Sequence, residues 1–264
     1  MTLAALCVIV LVFLAAVAAP LLAPHDPTQQ QLPHAFSPPS AEYLLGADHL
    51  GRDVLSRLLY GARATLVSAV AVLGLALLIG VAVGGTAGFY GGWIDALLMR
   101  LADVLLAFPT LLLAVAVAGT LGQSLLHVVV ALIAVGWAGF ARTVRGLVLV
   151  CREQEYVLVA TALGSSRRRI ITREILPNVI GPVIVLGSLD LGNIILSIAG
   201  LNFLGLGVQP PTAEWGAMIR AAQPHLQTDP QLLLSPTAAI VLVVLSVNVL
   251  TDGLRDTFDP TSYP

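Results

Sequence analysis

Lysine is missing altogether, so all 13 basic residues of the chain are arginine. That absence excludes a phosphate-binding Gly-x-x-x-x-Gly-Lys-Ser/Thr loop, in which a Lys must reach the nucleotide phosphates. Charge of either sign is scarce, at 11% of the 264 residues against roughly a quarter in soluble domains, while 57% are hydrophobic. A soluble fold cannot hide that much apolar surface. Cysteine is limited to Cys7 and Cys151, whose separation argues against a metal or disulfide pair. There is no His-Glu-x-x-His, no Cys-x-x-Cys and no Gly-x-Ser-x-Gly, so enzymatic chemistry is not expected. A net charge of −2 gives no footprint for nucleic acid.

What the chain has is long apolar runs. Crossing the ~30 Å hydrocarbon core takes ~20 mostly apolar residues per helix. Stretches of this kind cover residues 3–22, 64–89, 94–118, 125–141, 179–201 and 232–250. They are continuous rather than alternating, which selects helices over a β-barrel. The expected fold is an all-α integral membrane protein of about six transmembrane helices in a single domain. The first run has a second reading as a cleaved signal segment, because Ala16-Val17-Ala18 resembles a processing site.

Orientation follows from the arginines. Arg142, Arg145, Arg152, Arg167, Arg168, Arg169 and Arg173 fall between the fourth and fifth runs, which places that segment in the cytoplasm by the positive-inside tendency. The amino terminus and the tail with Arg255 then lie inside, and residues 23–63 and 202–231 outside. Arg52, Arg57, Arg63 and Arg220 oppose this assignment, but they stand in long loops and Asp48 and Asp53 accompany the first of them.

The Arg-rich segment, about residues 145–177, carries the most specific pattern. Glu153 and Glu155 start a helix, and Gly164 can take the left-handed conformation that ends one. A second helix through Arg167, Arg168, Arg169 and Arg173 meets Leu176-Pro177, where Pro is expected to stop it at the membrane. On the first arm Tyr156, Val159, Ala160 and Leu163 recur at helical spacing, so an apolar stripe faces something. A partner groove and the chain's own surface or lipid are both open as its counterpart.

This segment resembles the "EAA" coupling loop of ABC importer permeases, read as Glu-Ala-Ala, three residues, Gly, a spacer and Leu-Pro. Gly164 and Leu176-Pro177 match and align the triplet with Leu158-Val159-Ala160. The motif's Glu is therefore absent, with Glu155 one turn away. The segments Leu45 to Arg57, Phe203 to Val208, Pro211-Thr212-Ala213-Glu214-Trp215-Gly216 and Asp252 to Asp256 are similar to the second permease subunit of the dipeptide, oligopeptide and nickel branch. Asp48 to Asp53 and Pro211 to Gly216 lean to nickel permeases, although peptide permeases share most of these words.

The resemblance implies a type I ABC importer permease (MetI-like) fold in a bacterial inner membrane, with no cofactor in this chain. Its implied partners are a second homologous permease subunit, two ATP-binding subunits that hold ATP and magnesium, and an extracytoplasmic binding protein that meets residues 210–225. It implies coupling through Glu155, Tyr156, Val159, Ala160, Leu163, Gly164, Arg167, Leu176 and Pro177, and transport by alternating access. A secondary transporter and a membrane scaffold are the rival classes; the first would need its own coupling-ion site and commonly an internal repeat.

Polar groups within the spans are the candidates for translocation, because charge at the bilayer centre costs at least ~2.5 kcal/mol. Arg100 and Asp103 sit at i and i+3 and are expected to pair with each other. Asp190 and Asn193 lie mid-span with no opposite charge on their own helix, which leaves pore lining and structural pairing both open. His25, His34, His49, His127 and His225 all fall toward the predicted outer side. Imidazole suits nickel, so His49, His127 and His225 are metal candidates, against a bland reading as scattered loop histidines. Gly80, Gly84 and Gly88 permit close helix approach, either to a sister permease or within the chain. The 50–60 segment reads as an interfacial helix, and Pro109 as a kink in the third span.

Overall fold

A computed structural model describes residues 2–258, with side chains described through Gly253. Arg255, counted above among the inner arginines, lies outside the described side chains. Among the described residues regular structure is helical, apart from one isolated bridge between Ala47 and Asp53. The helices are α1 (Thr2–Val17), α2 (Val54–Tyr90), α3 (Gly92–Leu106), α4 (Thr110–Leu121), α5 (Leu125–Arg152), α6 (Glu155–Ala162), α7 (Arg167–Phe203), α8 (Trp215–Ala222) and α9 (Gln231–Phe258).

Helices α2, α5, α7 and the Gln231–Gly253 part of α9 are each long and apolar enough to cross a bilayer. The pair α3 and α4 is long and apolar enough only when taken together, as one bent unit. Helix α1 is a shorter apolar helix of 16 residues, continued by the turn Ala19–Leu22. The total agrees with about six crossings.

At 1.5 Å per residue the 37 residues of α2 span about 55 Å, nearly twice the ~30 Å core. Its first turns must therefore project beyond the bilayer. Asp53 caps this end, its carboxylate accepting from the Ser56 backbone N–H at 2.9 Å. Val54 and Arg57 are buried there beneath loop residues. The 50–60 segment is thus the packed head of α2, which corrects the interfacial helix expected from its amphipathic spacing.

The third span does more than kink. Ala107, Phe108 and Pro109 separate α3 from α4 at an angle of 89°. Proline removes a backbone donor and drives the preceding residue out of the helical region, so the chain changes direction there. Asp103 also departs from expectation. It pairs with Arg142 of α5 rather than with Arg100, and about two turns earlier Asp95 takes Arg145 in a bidentate pair at 2.5 and 2.6 Å. Both bridges tie α3 to α5, because α5 presents its arginines on the face that α3 covers.

The glycine row of α2 packs inside the chain. A Cβ on Gly84 would sit 2.2 Å from the Ala141 carbonyl oxygen, and one on Gly80 would sit 2.5 Å from Phe140 Cβ. Gly88 meets Val148 in the same way, so the row seats α2 on α5 and of the two expected roles the internal one holds. The main core joins Ala69 and Val72 of α2, Ala131 and Leu132 of α5, Ile195 and Leu201 of α7, Trp215 of α8 and Val243 of α9. A second core at the other end contains Val144, Val148, Cys151, Val157, Ile170, Ile175 and Val179.

Candidate functional site

The hairpin of residues 153–176 is built on that second core. Helix α6 starts with Glu155 in its first turn, the favourable place for an acid beside the helix dipole. It ends at Gly164, whose φ of +78° is the left-handed conformation that glycine adopts at least cost. The Gly164 N–H donates to the Thr161 carbonyl and the Ser165 N–H to the Ala160 carbonyl, at 3.0 and 3.1 Å. These bonds make a Schellman turn, which reverses the chain in the fewest residues.

The two sides of α6 differ. Val157 is 3% exposed and packs among Val148, Cys151 and Ile170, so it pins the helix to α5 and α7. Tyr156 leans on the same core, with its hydroxyl and Cys151 Sγ hydrogen-bonded at 3.0 Å. That bond first, and burial second, push the tyrosine up to about 12 and keep it neutral. On the other side Leu158, Val159 and Leu163 stand in the open, Leu163 at 81% exposure. Ala160 is half-buried, while Glu155, Gly164 and Arg167 are exposed. The spacing of Tyr156, Val159, Ala160 and Leu163 pointed to one stripe; Leu158 widens it.

The second arm is not stopped by Pro177. Helix α7 runs from Arg167 through Pro177 and Pro182 to Phe203. A π-helical stretch over Ile170–Ile175 precedes the proline, and at its end the Leu176 N–H reaches back five residues to the Ile171 carbonyl. Widening the turn makes room where an α-helical Pro would clash with the carbonyl four residues earlier. Asn178 Nδ2 donates to the displaced Glu174 carbonyl at 2.6 Å. The second arm of the hairpin and the span are consequently one continuous helix, joined to α6 by the turn at Gly164.

Midway along that helix, Asp190 and Asn193 line a cavity of about 360 Å³ that opens where α3 and α4 separate. Thr110 at the break and Ser197 one turn beyond Asn193 line the same space. Asn193 Nδ2 donates to Asp190 Oδ1 at 3.2 Å.

The far end of the bundle holds a compact cap. Asp48 accepts from the Leu50 and Arg52 backbone N–H groups at 2.9 and 3.0 Å and forms an ion pair with Arg52 at 2.7 Å. Burial opposes the Asp48 charge, but Arg52 outweighs it and holds the carboxyl below its ordinary range. Arg57 lies 3.5 Å from the same carboxylate and donates to the carbonyls of Pro27 and Pro211 at 2.8 and 3.1 Å. Burial, then repulsion by Arg52, lower this guanidinium to about 10. The Asp48 to Asp53 signature is therefore a knot that clamps three loops, a role that its charge pattern alone did not reveal.

Glu214 is the most deeply buried acid of the cap. It caps α8 by accepting from the Ala217 N–H at 3.0 Å, and it receives the Thr65 hydroxyl at 2.8 Å. Trp215 beside it donates to the Leu58 carbonyl at 3.0 Å, and a Cβ on Gly216 would meet the Ala199 carbonyl oxygen at 2.1 Å. The Pro211 to Gly216 segment is thereby explained as the joint between α8, α2 and α7. Among the histidines, His49 and His225 stack with ring centroids 5.1 Å apart, whereas His127 stands apart with Nδ1 2.9 Å from the Gly122 carbonyl. No group of three or more His, Cys, Asp or Glu side chains suited to a metal occurs among the described residues.

Residues 76–262 match the family described as "binding-protein-dependent transport system inner membrane component". The chain belongs to this family. Its residues 1–39 also match the N-terminal transmembrane domain of oligopeptide transport permease C. The chain is 41% identical to the nickel transport system permease protein NikC of Escherichia coli over 256 residues, covering 97% of this chain and 92% of that protein. It is 44% identical to the dipeptide transport system permease protein DppC of Alkalihalophilus pseudofirmus over 248 residues, 94% of this chain and 81% of the relative. It is 42% identical to the glutathione transport system permease protein GsiD of Pectobacterium atrosepticum over 222 residues, 84% of this chain and 74% of the relative. The binding-protein-dependent permease is thus a subunit of an ABC importer, and its relatives carry the names of three different cargoes.

Proposed function

We propose that this permease is one of two homologous pore subunits, and that the 153–176 hairpin is the lever by which a cytoplasmic ATP-binding subunit moves it. The observation that carries this reading is the division of α6 into a buried side anchored by Val157 and an exposed apolar side of Leu158, Val159 and Leu163. An edge of that kind in water is unfavourable, and covering each large side chain contributes roughly 1.5 to 3 kcal/mol. The partner is a groove on an ATPase subunit, which holds the ATP and magnesium. Glu155, Tyr156, Ala160, Gly164 and Arg167 shape the docking hairpin, and Leu176-Pro177 lies where its second arm continues into the span.

In this reading the hairpin and the amino terminus are cytoplasmic and the Asp48 and Glu214 cap is extracytoplasmic. A loaded binding protein delivers cargo near residues 210–225. The α7 rod carries the motion of α6 to the broken span, so the two pore subunits alternate between outward-open and inward-open forms around Asp190 and Asn193. The cargo is nickel or a di- or oligopeptide, and nickel is the first to test because the Asp48 to Asp53 segment leans that way. Proteoliposomes holding the full importer should accumulate ⁶³Ni²⁺ or labelled dialanine only with ATP and a binding protein. Uptake driven by a proton or sodium gradient without ATP would exclude the proposal in favour of a secondary transporter.

A further inference from the structure

We infer that the cavity at the broken span is a binding site for a positively charged group of the cargo, with the Asp190 carboxylate as its charge partner; this rests on the proposed transport role. Asp190 is the central residue of the apolar run 179–201, about 17 Å along the helix from either end, and so near the middle of the hydrocarbon core. A carboxylate at that depth is costly unless it meets a cation or water.

The other acids of the neighbouring span are neutralised. Asp95 has Arg145 and Asp103 has Arg142, whereas among the described residues no arginine or histidine lines the cavity at Asp190. Only one of its oxygens is engaged, by Asn193, and Oδ2 accepts no hydrogen bond among the described residues. Ser197 donates its proton to the Asn193 carbonyl at 2.8 Å, which leaves its oxygen lone pairs turned to act as acceptors. Thr110 adds a second hydroxyl from the other side of the break. Carboxylate, amide oxygen and hydroxyls form an acceptor-rich set for a hard or hydrated cation.

The dimensions agree with that chemistry. At about 30 Å³ per water, 360 Å³ holds roughly twelve waters. That is room for a divalent ion with its six-water shell, or for the ammonium end of a dipeptide, and too little for a folded segment. Val72, Leu132 and Phe140 make the remaining wall apolar, which lowers the local dielectric and strengthens the attraction for positive charge. The cavity lies beside the 89° break, with Leu106 and Thr110 from its two sides both lining the space.

The test uses the complete importer in proteoliposomes, with ⁶³Ni²⁺ and labelled dialanine as probes and ATP hydrolysis stimulated by the binding protein as a second readout. Asp190→Asn is expected to raise the concentration for half-maximal uptake at least about tenfold, with stimulated ATP hydrolysis kept within about twofold of wild type. Asp190→Glu restores most of the uptake because it restores the charge. Unchanged uptake by Asp190→Asn would overturn the inference. So would a parallel loss of uptake and stimulated hydrolysis that Asp190→Glu fails to rescue, since that pattern marks a structural role. If the wild-type complex takes up neither probe with ATP, the transport proposal itself fails, and the two failures are distinguishable.

Discussion

The hydroxyl of Thr65 on the longest helix donates at 2.8 Å to the carboxylate of Glu214, 149 residues later in the sequence. The bond fastens the cap to a helix that reaches the hairpin end. Burial raises the Glu214 carboxyl from its ordinary 4.5 to about 7, against the opposing pull of the Ala217 and Thr65 hydrogen bonds. Because the folded pKa is raised, the folded state prefers the protonated form. The resulting stability is fully present below pH 4.5 and is lost as pH rises to about 7, a change on the order of 3 kcal/mol. The Tm of the purified permease complex should therefore fall between pH 5 and pH 7.5, and Glu214→Gln should flatten that part of the profile. Thr65→Val removes a bond that favours the ionised form, and the transition should move to higher pH.

The contact between α2 and α5 gives a paired prediction on adjacent glycines. Gly84 has the Ala141 backbone 2.2 Å from its missing Cβ, whereas Gly85 has nothing within 4 Å. Gly84→Ala should destabilise by about 1 to 3 kcal/mol through overpacking. Gly85→Ala gains helix propensity and should be neutral or stabilising by up to ~1 kcal/mol. Thermal unfolding in nanodiscs separates the two directly, and equal effects would show that α2 does not seat on α5 through this row.

The two bridges from α3 to α5 should differ in strength. Asp95 and Arg145 are partly buried and bidentate, while Arg142 and Asp103 are both more than half exposed. A double-mutant cycle on Asp95→Asn and Arg145→Gln should give a coupling of about 1 to 2 kcal/mol. The same cycle on Asp103 and Arg142 should give about 0.5 kcal/mol or less. Arg145→Lys should recover only part of the first coupling, because an ammonium cannot reproduce the two-pronged contact.

Much of the architecture was legible because lipid leaves the backbone few choices. Residues 64–89 and 125–141 could only be helices, and Gly164 could be read as a terminator because few residues take its conformation cheaply. The errors came where tertiary packing overrode a local rule. Pro177 should have ended a helix, but the π turn over Ile170–Ile175 absorbed it. Arg100 stood at the right spacing for Asp103, yet Arg142 from another helix won the contact. The 50–60 stretch looked amphipathic toward lipid because its polar side meets buried partners, Pro27 and Pro211, that are distant in sequence. Asp190 and Asn193 stand out in the sequence by their rarity in a span, whereas nothing local marks Thr110, which shares their cavity only through the fold.

The proposed coupling of pore to motor rests on the exposed apolar edge of α6. Val159 and Leu163 are 56% and 81% exposed, so Val159→Asp with Leu163→Asp should leave the Tm of the permease unchanged. The decisive measurement is how much ATPase subunit co-purifies with the tagged permease, wild type against this double variant. Near-complete loss of the ATPase subunit with an intact permease is expected; full retention by the variant would exclude α6 as the docking helix.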